Sequence, residues 1–92
     1  MRKVVTAADA VSRIPDGASL MIGGFMGAGT PPRLIDELIR QNRRDLTLIA
    51  NDTAVIGRGI GRLIAARLPR KVIVSHIGTN PETQRQMIAG EI

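Results

Sequence analysis

The stretch DGASLMIGGFMGAGTP, residues 16–31, decides the fold class of this chain. It opens with an Asp-Gly turn and continues as a short apolar run over residues 19–22, which is typical of a strand. The following loop, residues 23–29, carries four glycines in seven positions and is predicted to be irregular. Thr30 is a favourable N-cap, and Pro31 suits the first position of a helix. The stretch therefore predicts a strand, a glycine-rich loop and a helix in direct succession.

The same order of elements repeats along the rest of the chain. Apolar spacing and capping residues predict a helix over 7–13, a helix ending near 42, a strand over 46–50, a helix over 60–68, a strand over 71–75 and a helix over 81–89. Strands that alternate with helices favour an α/β fold, an open and mostly parallel sheet with flanking helices. Strands this apolar are expected to be covered on both faces, and a sheet ending at its third strand would leave an edge unprotected. We therefore expect residues 1–92 to be part of a single domain, truncated after Ile92.

Composition narrows the class of protein. Of the 92 residues, 43% are hydrophobic and 23% are charged, which is typical of a globular domain, and no apolar run is long enough to span a membrane. The chain has no cysteine and one histidine, so we expect no disulfide framework and no metal site. No signal segment is recognised, and we expect a cytoplasmic protein. Basic residues are scattered and Phe25 is the one aromatic residue, so no nucleic-acid partner is expected.

The loop over residues 23–29 is the leading candidate for a binding site. Ligands of open α/β sheets bind beyond the carboxyl ends of the strands, where this loop lies between a strand and a helix N-terminus. Glycines there let backbone N–H groups approach a ligand closely, and the helix N-terminus adds partial positive charge. The loop therefore suits a phosphate or an oxyanion. A tight strand-to-helix connection that binds no ligand is the alternative.

Two familiar nucleotide signatures fit the loop less well. Thr30 and Pro31 stand where a P-loop needs a lysine and a serine or threonine, which disfavours phosphoryl transfer. The glycines follow the order GxxGxG instead of GxGxxG. However, Asp52 follows the second strand, as does the acidic residue that binds ribose in dinucleotide-binding folds. A dinucleotide-binding module of the Rossmann type therefore stays open as an alternative.

The motif in residues 16–31 is similar to the signature of the alpha subunits of family I coenzyme A transferases. In that signature an Asp-Gly pair and an apolar run lead to Gly-Gly-Phe, three residues, a glycine, one residue and a proline, and every position is filled here. The similarity continues through DLTLIANDTA, residues 45–54, and KVIVSHIGTNPET, residues 71–83. The resemblance is greatest to acetate:acetoacetyl-CoA transferase alpha subunits. It implies a CoA transferase-like α/β fold and identifies residues 1–92 as the N-terminal part of such a subunit.

The resemblance implies a ping-pong reaction that moves CoA between a short-chain acyl-CoA and a carboxylate such as acetate or acetoacetate. The nucleophile is a glutamate on a partner beta subunit, so this chain is expected to hold no catalytic residue and to be inactive alone. CoA is a substrate, and no permanently bound cofactor is implied. The implied assembly has two alpha and two beta subunits. An inactive, truncated subunit that binds neither CoA nor a partner is the alternative.

The same resemblance places one loop against CoA, near the reacting thioester. The matching residues, all expected to bind CoA, are Gly23, Gly24, Phe25, Met26, Gly27, Ala28 and Gly29. A side chain added at Gly23 or Gly24 is expected to be damaging, because loop N–H groups of this kind stabilise charge in the transition state. Arg33, close after the loop, is a candidate for contact with a CoA phosphate, and Asn51 is a candidate for contact with substrate.

The other chemically active side chains have structural interpretations. Glu37 and Glu82 belong to predicted helices, and neither follows a strand and a glycine loop as the family's nucleophile does. His76 ends the third strand without an evident orienting partner. Asn80 stands before Pro81 at the predicted start of the last helix, where an asparagine is a favourable cap.

Overall fold

The computed structural model describes residues 4–92, which form four helices and three strands. Their order is α1 (Ala7–Ser12), β1 (Ser19–Met21), α2 (Pro32–Arg40), β2 (Leu46–Ala50), α3 (Ile60–Ala65), β3 (Pro69–Val74) and α4 (Pro81–Ile88). Each strand is followed by a helix, so the predicted α/β class is confirmed. In the part of the chain that the structure describes, no helix has the length and apolarity needed to cross a membrane.

The three strands form one parallel sheet in the order β1-β2-β3. Leu48 of the central strand lies between Leu20 of β1 and Val72 of β3. Because the strands are parallel, their carboxyl ends meet at one edge of the sheet, and the loops that follow them lie together there. That edge carries the candidate site.

The helices pack in a row on one face of the sheet, with α1 against α2, α2 against α3, and α3 against α4. Side chains of a strand alternate between the two faces, so every second strand residue meets this helical layer. The resulting core consists of Val11, Ile35, Leu38, Leu46, Leu48, Ile60, Leu63 and Leu68. One continuous core therefore packs the helices against the sheet from which all three βα loops emerge.

The opposite face of the sheet is not covered within residues 4–92. Met21 is 81% exposed and Ile73 is 48% exposed, and in the register both align with Ile49 on this face. Residues 4–92 therefore do not themselves supply the cover on both faces that apolar strands are expected to have, and that expectation stays a prediction. The reason is topological, because right-handed crossovers between strands ordered β1-β2-β3 place both connecting helices on the same face.

Helix α2 begins one residue later than the sequence predicts. Pro31 is its N-cap and Pro32 its first residue, so the prediction of Thr30 as the cap is wrong. The Thr30 hydroxyl donates a hydrogen bond of 2.9 Å to the carbonyl of Gly23 instead. A side chain that favours capping is thus used to hold the preceding loop.

Helices α2, α3 and α4 end in the same kind of turn. After α3, the N–H groups of Arg67 and Leu68 donate back to carbonyls of the last helical turn at 3.0 and 3.2 Å, and Arg67 has a φ of 58°. This is the Schellman arrangement, with a left-handed residue just beyond the helix. Asn42 and Gly90 hold the equivalent positions after α2 and α4, which confirms the predicted role of Gly90. The turn after α3 ends that helix before residue 68, where apolar spacing had extended it.

Asn80 confirms the predicted cap of α4 and has a second role. Its Oδ1 accepts hydrogen bonds from the N–H groups of Glu82 and Thr83 at 3.1 and 3.3 Å. Its Nδ2 donates 2.9 Å to the carbonyl of Thr53, in the loop after β2, and the side chain is fully buried. One side chain therefore starts α4 and ties it to the neighbouring loop.

Replacing Asn80 by alanine is expected to lower the free energy of unfolding by about 2 to 3 kcal/mol, since a lost cap costs about 1 kcal/mol and an unpaired buried carbonyl costs about as much or more. The matched control is Thr6→Ala. The Thr6 hydroxyl caps α1 through a single exposed hydrogen bond of 3.1 Å, so its loss removes the cap alone. Denaturant unfolding measures both variants, and equal losses at the two positions would contradict the second role of Asn80.

Candidate functional site

The glycine-rich loop folds into a tight two-residue turn, and we call residues 23–29 the glycine hairpin. Phe25 and Ala28 each donate a backbone hydrogen bond of 2.9 Å to the other's carbonyl. Between them, Met26 and Gly27 have φ values of 53° and 93°, and positive φ at both positions is what a type I′ turn requires. No helix or strand is formed by residues 23–29, as predicted, but the loop contains one locally paired turn that the sequence did not predict.

Three side chains from outside the turn hold the glycine hairpin. Thr30 donates to the carbonyl of Gly23, as described above. Asn51, directly after β2, donates 3.2 Å from its Nδ2 to the carbonyl of Gly24. The carboxylate of Asp52 accepts the N–H of Met26 at 3.2 and 3.3 Å from its two oxygens. The conformation of the hairpin is thus set largely by the start of the loop after β2.

Asp52 is 2% exposed and its carboxylate is used inside the protein. Besides the N–H of Met26, its Oδ1 accepts the N–H of Ala54 at 2.7 Å. An acid that binds a ribose must present its oxygens to a ligand, whereas both oxygens of Asp52 face backbone donors. This geometry argues against the dinucleotide-binding alternative, for which Asp52 was the supporting residue.

The loop after β2 also connects to the loop after β3 and to the first turn of α4. Thr53 and Thr83 share a buried hydrogen bond of 2.8 Å between their hydroxyls, and the Thr79 hydroxyl donates 2.8 Å to the carbonyl of Ala54. Together with the bond from Asn80 to Thr53, these contacts join all three loops at the carboxyl edge of the sheet. A ligand bound there would meet one connected surface.

Residues 4–92 match the family model described as Coenzyme A transferase, which is nearly the whole chain. The chain belongs to the coenzyme A transferase family. The resemblance carried by residues 16–31 is thereby confirmed, including its assignment to an alpha subunit, because similar curated proteins are named as such subunits.

Two relatives illustrate this similarity. The chain is 58% identical over 90 residues to the acetate CoA-transferase subunit alpha of Escherichia coli, which covers 98% of this chain and 41% of the relative. It is 41% identical over 90 residues to the acetoacetyl-CoA:acetate/butyrate CoA transferase alpha subunit of Clostridium acetobutylicum, again covering 98% of this chain and 41% of the relative. The chain therefore spans about two-fifths of the length of these curated relatives.

A solved structure shares the fold. The decarboxylase AibA/AibB, crystallised as a cysteine-to-serine variant, superimposes with a TM-score of 0.70 at 33% identity, over 94% of this chain and 35% of that chain. The α/β arrangement seen in residues 4–92 is thus also the arrangement of an experimentally determined relative. That protein is a decarboxylase by name, so a fold similar to that of this chain occurs in an enzyme of another reaction class than CoA transfer.

The glycine hairpin of this coenzyme A transferase chain divides its backbone donors into two groups. The N–H groups of Phe25, Met26 and Ala28 donate to acceptors within the protein. Those of its four glycines, Gly23, Gly24, Gly27 and Gly29, have no hydrogen-bond acceptor among residues 4–92. The donors without an acceptor are thus all glycine N–H groups of the segment that precedes α2, where the partial positive charge of the helix N-terminus adds to their effect on an anion.

Arg58 lies over the turn of the glycine hairpin, a contact that the sequence did not predict. A Cβ added at Gly27 would lie 3.0 Å from the Cγ and 3.1 Å from the Nε of Arg58. Within residues 4–92 the Arg58 guanidinium has no acidic partner, and the residue is exposed. The one sequence feature that could have indicated this contact is the run of alternating glycines in 57–61. The structure explains it in part, because a Cβ added at Gly59 would lie 3.1 Å from the Cα of Gly27.

The remaining predicted site residues lie around the hairpin. Phe25 is 61% exposed and Met26 is 41% exposed, so neither contributes to the core. Arg33 is exposed in the first turn of α2, and Asn51 is exposed beside Gly24. Direct contact of these residues with CoA stays a prediction.

The glutamates lie in ion pairs on the helical side of the chain. Arg40 and Gln41 donate hydrogen bonds to Glu37 and lower the pKa of its carboxyl. Bonds from Arg85 and Gln86 lower the pKa of Glu82 to about 2. Glu91 pairs with Arg67 and Arg85 across exposed surface. The carboxylates of Glu37 and Glu82 are held as anions by neighbouring arginines, which suits their structural interpretation.

Proposed function

We propose that this chain is the CoA-binding part of the alpha subunit of an acyl-CoA transferase. The enzyme would move CoA between a short-chain acyl-CoA and a carboxylate such as acetate or acetoacetate. The observation that carries the proposal is the glycine hairpin, because it presents unpaired glycine N–H groups at the carboxyl edge of a parallel sheet. The relatives named for acetate and acetoacetyl-CoA support the substrate class.

In the proposed reaction, a glutamate of the beta subunit attacks the thioester carbonyl of the acyl-CoA. The C–S bond breaks, CoA leaves as a thiolate, and an acyl-glutamyl anhydride forms. The thiolate then attacks the glutamyl carbonyl, which releases the first carboxylate and leaves a glutamyl-CoA thioester. The second carboxylate reacts with this thioester by the same two steps in reverse order, which forms the new acyl-CoA and restores the glutamate. Negative charge develops on a carbonyl oxygen in each step, and N–H groups of the glycine hairpin would stabilise that charge.

The residues proposed to contact CoA all lie near the carboxyl ends of the strands. Arg58 over Gly27 and Arg33 in the first turn of α2 supply positive charge for phosphates or for the incoming carboxylate. Asn51 and the exposed Phe25 and Met26 complete the wall of the site. The chain supplies binding and charge stabilisation, and the partner supplies the nucleophile.

The proposal includes a beta subunit as partner, in an assembly of two alpha and two beta chains, and a cytoplasmic location. Relatives named as alpha subunits support the partner. CoA enters as a substrate, so the proposal needs no permanently bound cofactor. An inactive subunit remains the alternative, and co-purification of this chain with a beta subunit, followed by a CoA transfer assay, distinguishes the two.

A decarboxylase is the second candidate, favoured by the solved structure with a similar fold. The same purified complex discriminates between the candidates. Transfer of CoA from acetoacetyl-CoA to acetate without release of carbon dioxide supports the transferase, and release of carbon dioxide from an acyl-CoA supports the decarboxylase. The chain is 58% identical to a transferase subunit and 33% identical to the decarboxylase, which favours CoA transfer without release of carbon dioxide.

Replacing Gly23 by valine is expected to reduce CoA transfer by about 100-fold, as misplacing a substrate by about 1 Å does. A Cβ added at Gly23 meets nothing within 4 Å, and the residue is outside the left-handed region, so the protein accepts the side chain. The valine would instead occupy the space in which CoA is proposed to lie. Steady-state rates of the complex and its thermal midpoint measure the two effects separately.

Gly78→Val is the matched control for this prediction. Gly78 also follows a strand at the carboxyl edge, and an added Cβ would meet only Nδ1 of His76, at 3.9 Å. We expect this variant to keep the wild-type rate. A Gly23→Val complex with full CoA transfer would show that CoA does not approach the hairpin at this position.

A further inference from the structure

We propose that Asp52 is a positioning residue, which acts on CoA through the glycine hairpin by holding the backbone N–H of Met26. The inference rests on the proposed function, because it assumes that the hairpin binds CoA. It assigns to Asp52 a role different from the ribose contact that the sequence suggested. The residue touches no ligand itself, since its carboxylate is 2% exposed.

The turn of the hairpin needs external support. Met26 has a φ of 53°, in the left-handed region, where a side chain that carries a Cβ is disfavoured. Glycine, asparagine and aspartate are the residues that favour the positive φ values of a type I′ turn, and methionine is not among them. The sequence at position 26 therefore does not select the conformation that the structure shows.

Asp52 supplies that support from the loop after β2. Both of its oxygens lie within 3.3 Å of the Met26 nitrogen, and its Oδ1 also accepts the N–H of Ala54 at 2.7 Å. A charged acceptor makes a stronger hydrogen bond than a neutral one, and burial reduces competition from water. The carboxylate thus fixes the Met26 peptide with its N–H turned into the protein.

This orientation has a consequence for the ligand side of the hairpin. The Met26 N–H is directed at Asp52, and the N–H groups of Phe25 and Ala28 donate to each other's carbonyls, so the unpaired donors of the hairpin are those of its four glycines. If the Met26 peptide rotated, the adjacent Gly27 peptide would rotate as well. Asp52 therefore determines which N–H groups are presented to CoA.

Asp52→Asn changes the hairpin contact selectively. The remaining Oδ1 can still accept the N–H of Ala54, which keeps the local turn after β2. The new amide nitrogen replaces Oδ2, so the 3.2 Å contact becomes one between two N–H donors, and the Met26 N–H keeps only the 3.3 Å contact to Oδ1, which it shares with Ala54. We expect kcat for CoA transfer to fall on the order of 10-fold, a smaller effect than that of a 1 Å displacement of substrate.

Asp16→Asn is the matched control. Asp16 also accepts a backbone N–H from a distant segment, that of Arg44 at 2.7 Å, but it precedes β1 at the opposite edge of the sheet. The Asp16→Asn substitution makes the same chemical change far from the hairpin. The complex carrying Asp16→Asn is expected to keep the wild-type kcat.

The decisive measurement is a double-mutant cycle with Met26→Gly in the complex of this chain with its beta partner. Glycine adopts positive φ without support, so the loss caused by Asp52→Asn should shrink toward none in the Met26→Gly background. A merely structural role of Asp52 would give the same loss in both backgrounds, and that result overturns the inference. The effect of Met26→Gly itself cancels in the cycle.

A second readout does not depend on catalysis. Hydrogen exchange of the Met26 amide in the same complex should accelerate on the order of 10-fold in Asp52→Asn and stay unchanged in Asp16→Asn, because only the first variant removes an oxygen that accepts this amide, the Oδ2 at 3.2 Å. Unchanged exchange in Asp52→Asn overturns the inference even in an inactive complex. If the wild-type complex transfers no CoA while the Asp52→Asn variant still shows the accelerated exchange, the proposed function is refuted and the support of the hairpin by Asp52 is established.

Discussion

Replacing Gly61 by alanine is expected to lower the free energy of unfolding by about 3 kcal/mol, at the upper end of the usual cost of overpacking. Gly61 is buried in the first turn of α3, where the chain passes directly over the carbonyl of Val55. An added Cβ would overlap the Val55 carbonyl oxygen and lie 2.8 Å from its carbon. Because the obstacle is backbone, no side-chain rotation relieves the overlap. Denaturant unfolding measures the loss.

The surroundings of Gly61 make the cost larger than that of the overlap alone. The Nδ2 of the buried Asn80 would lie 3.3 Å from the new Cβ, so any movement of α3 presses on the residue that caps α4. Gly78→Ala is the matched control, as its added Cβ meets nothing closer than 3.9 Å, and we expect a change within about 0.5 kcal/mol. Equal stability of the two variants would contradict the close approach of α3 to Val55.

The order of elements could be predicted because local patterns determine it. Strand β2 coincides with the apolar run at 46–50, and α4 begins at the predicted Asn80 cap. The cap of α2 was misassigned because Thr30 has a competing partner, the carbonyl of Gly23, seven residues earlier in the chain. Local rules identify a residue that can cap a helix, but they do not show what else its hydroxyl can reach.

The geometry of the candidate site could not be predicted from the sequence, since it depends on distant residues, and CoA binding there stays a prediction. The glycines marked the loop, but its paired turn depends on Asp52, which lies 26 residues beyond Met26. The position of Arg58 depends on how the loop after β2 crosses the hairpin. Neither contact has a periodic or local signature. From its place after a strand, the sequence suggested instead that Asp52 could bind the ribose of a dinucleotide.

A valine at position 24 is expected to reduce CoA transfer by about 1000-fold, comparable to the loss of a complete oxyanion-stabilising donor. Gly24 has a φ of 129°, and an added Cβ would overlap the Thr30 hydroxyl and lie 3.1 Å from the carbonyl oxygen of Ala28. The hydroxyl cannot retreat without breaking its bond to Gly23. The side chain would therefore open the hairpin and displace its glycine N–H groups. Steady-state rates of the complex with the beta partner measure the loss.

Gly17→Val separates this overlap from backbone strain. Gly17 also has a left-handed φ, of 81°, but an added Cβ there meets nothing within 4 Å, and the residue precedes β1 at the edge away from the hairpin. Valine at 17 thus carries the strain, about 1 to 2 kcal/mol, without the collision at the site. We expect the Gly17→Val complex to lose stability and keep its rate, and the Gly24→Val complex to lose its rate even where it remains folded. If both lost activity in proportion to stability, the hairpin would matter to the fold and not to CoA.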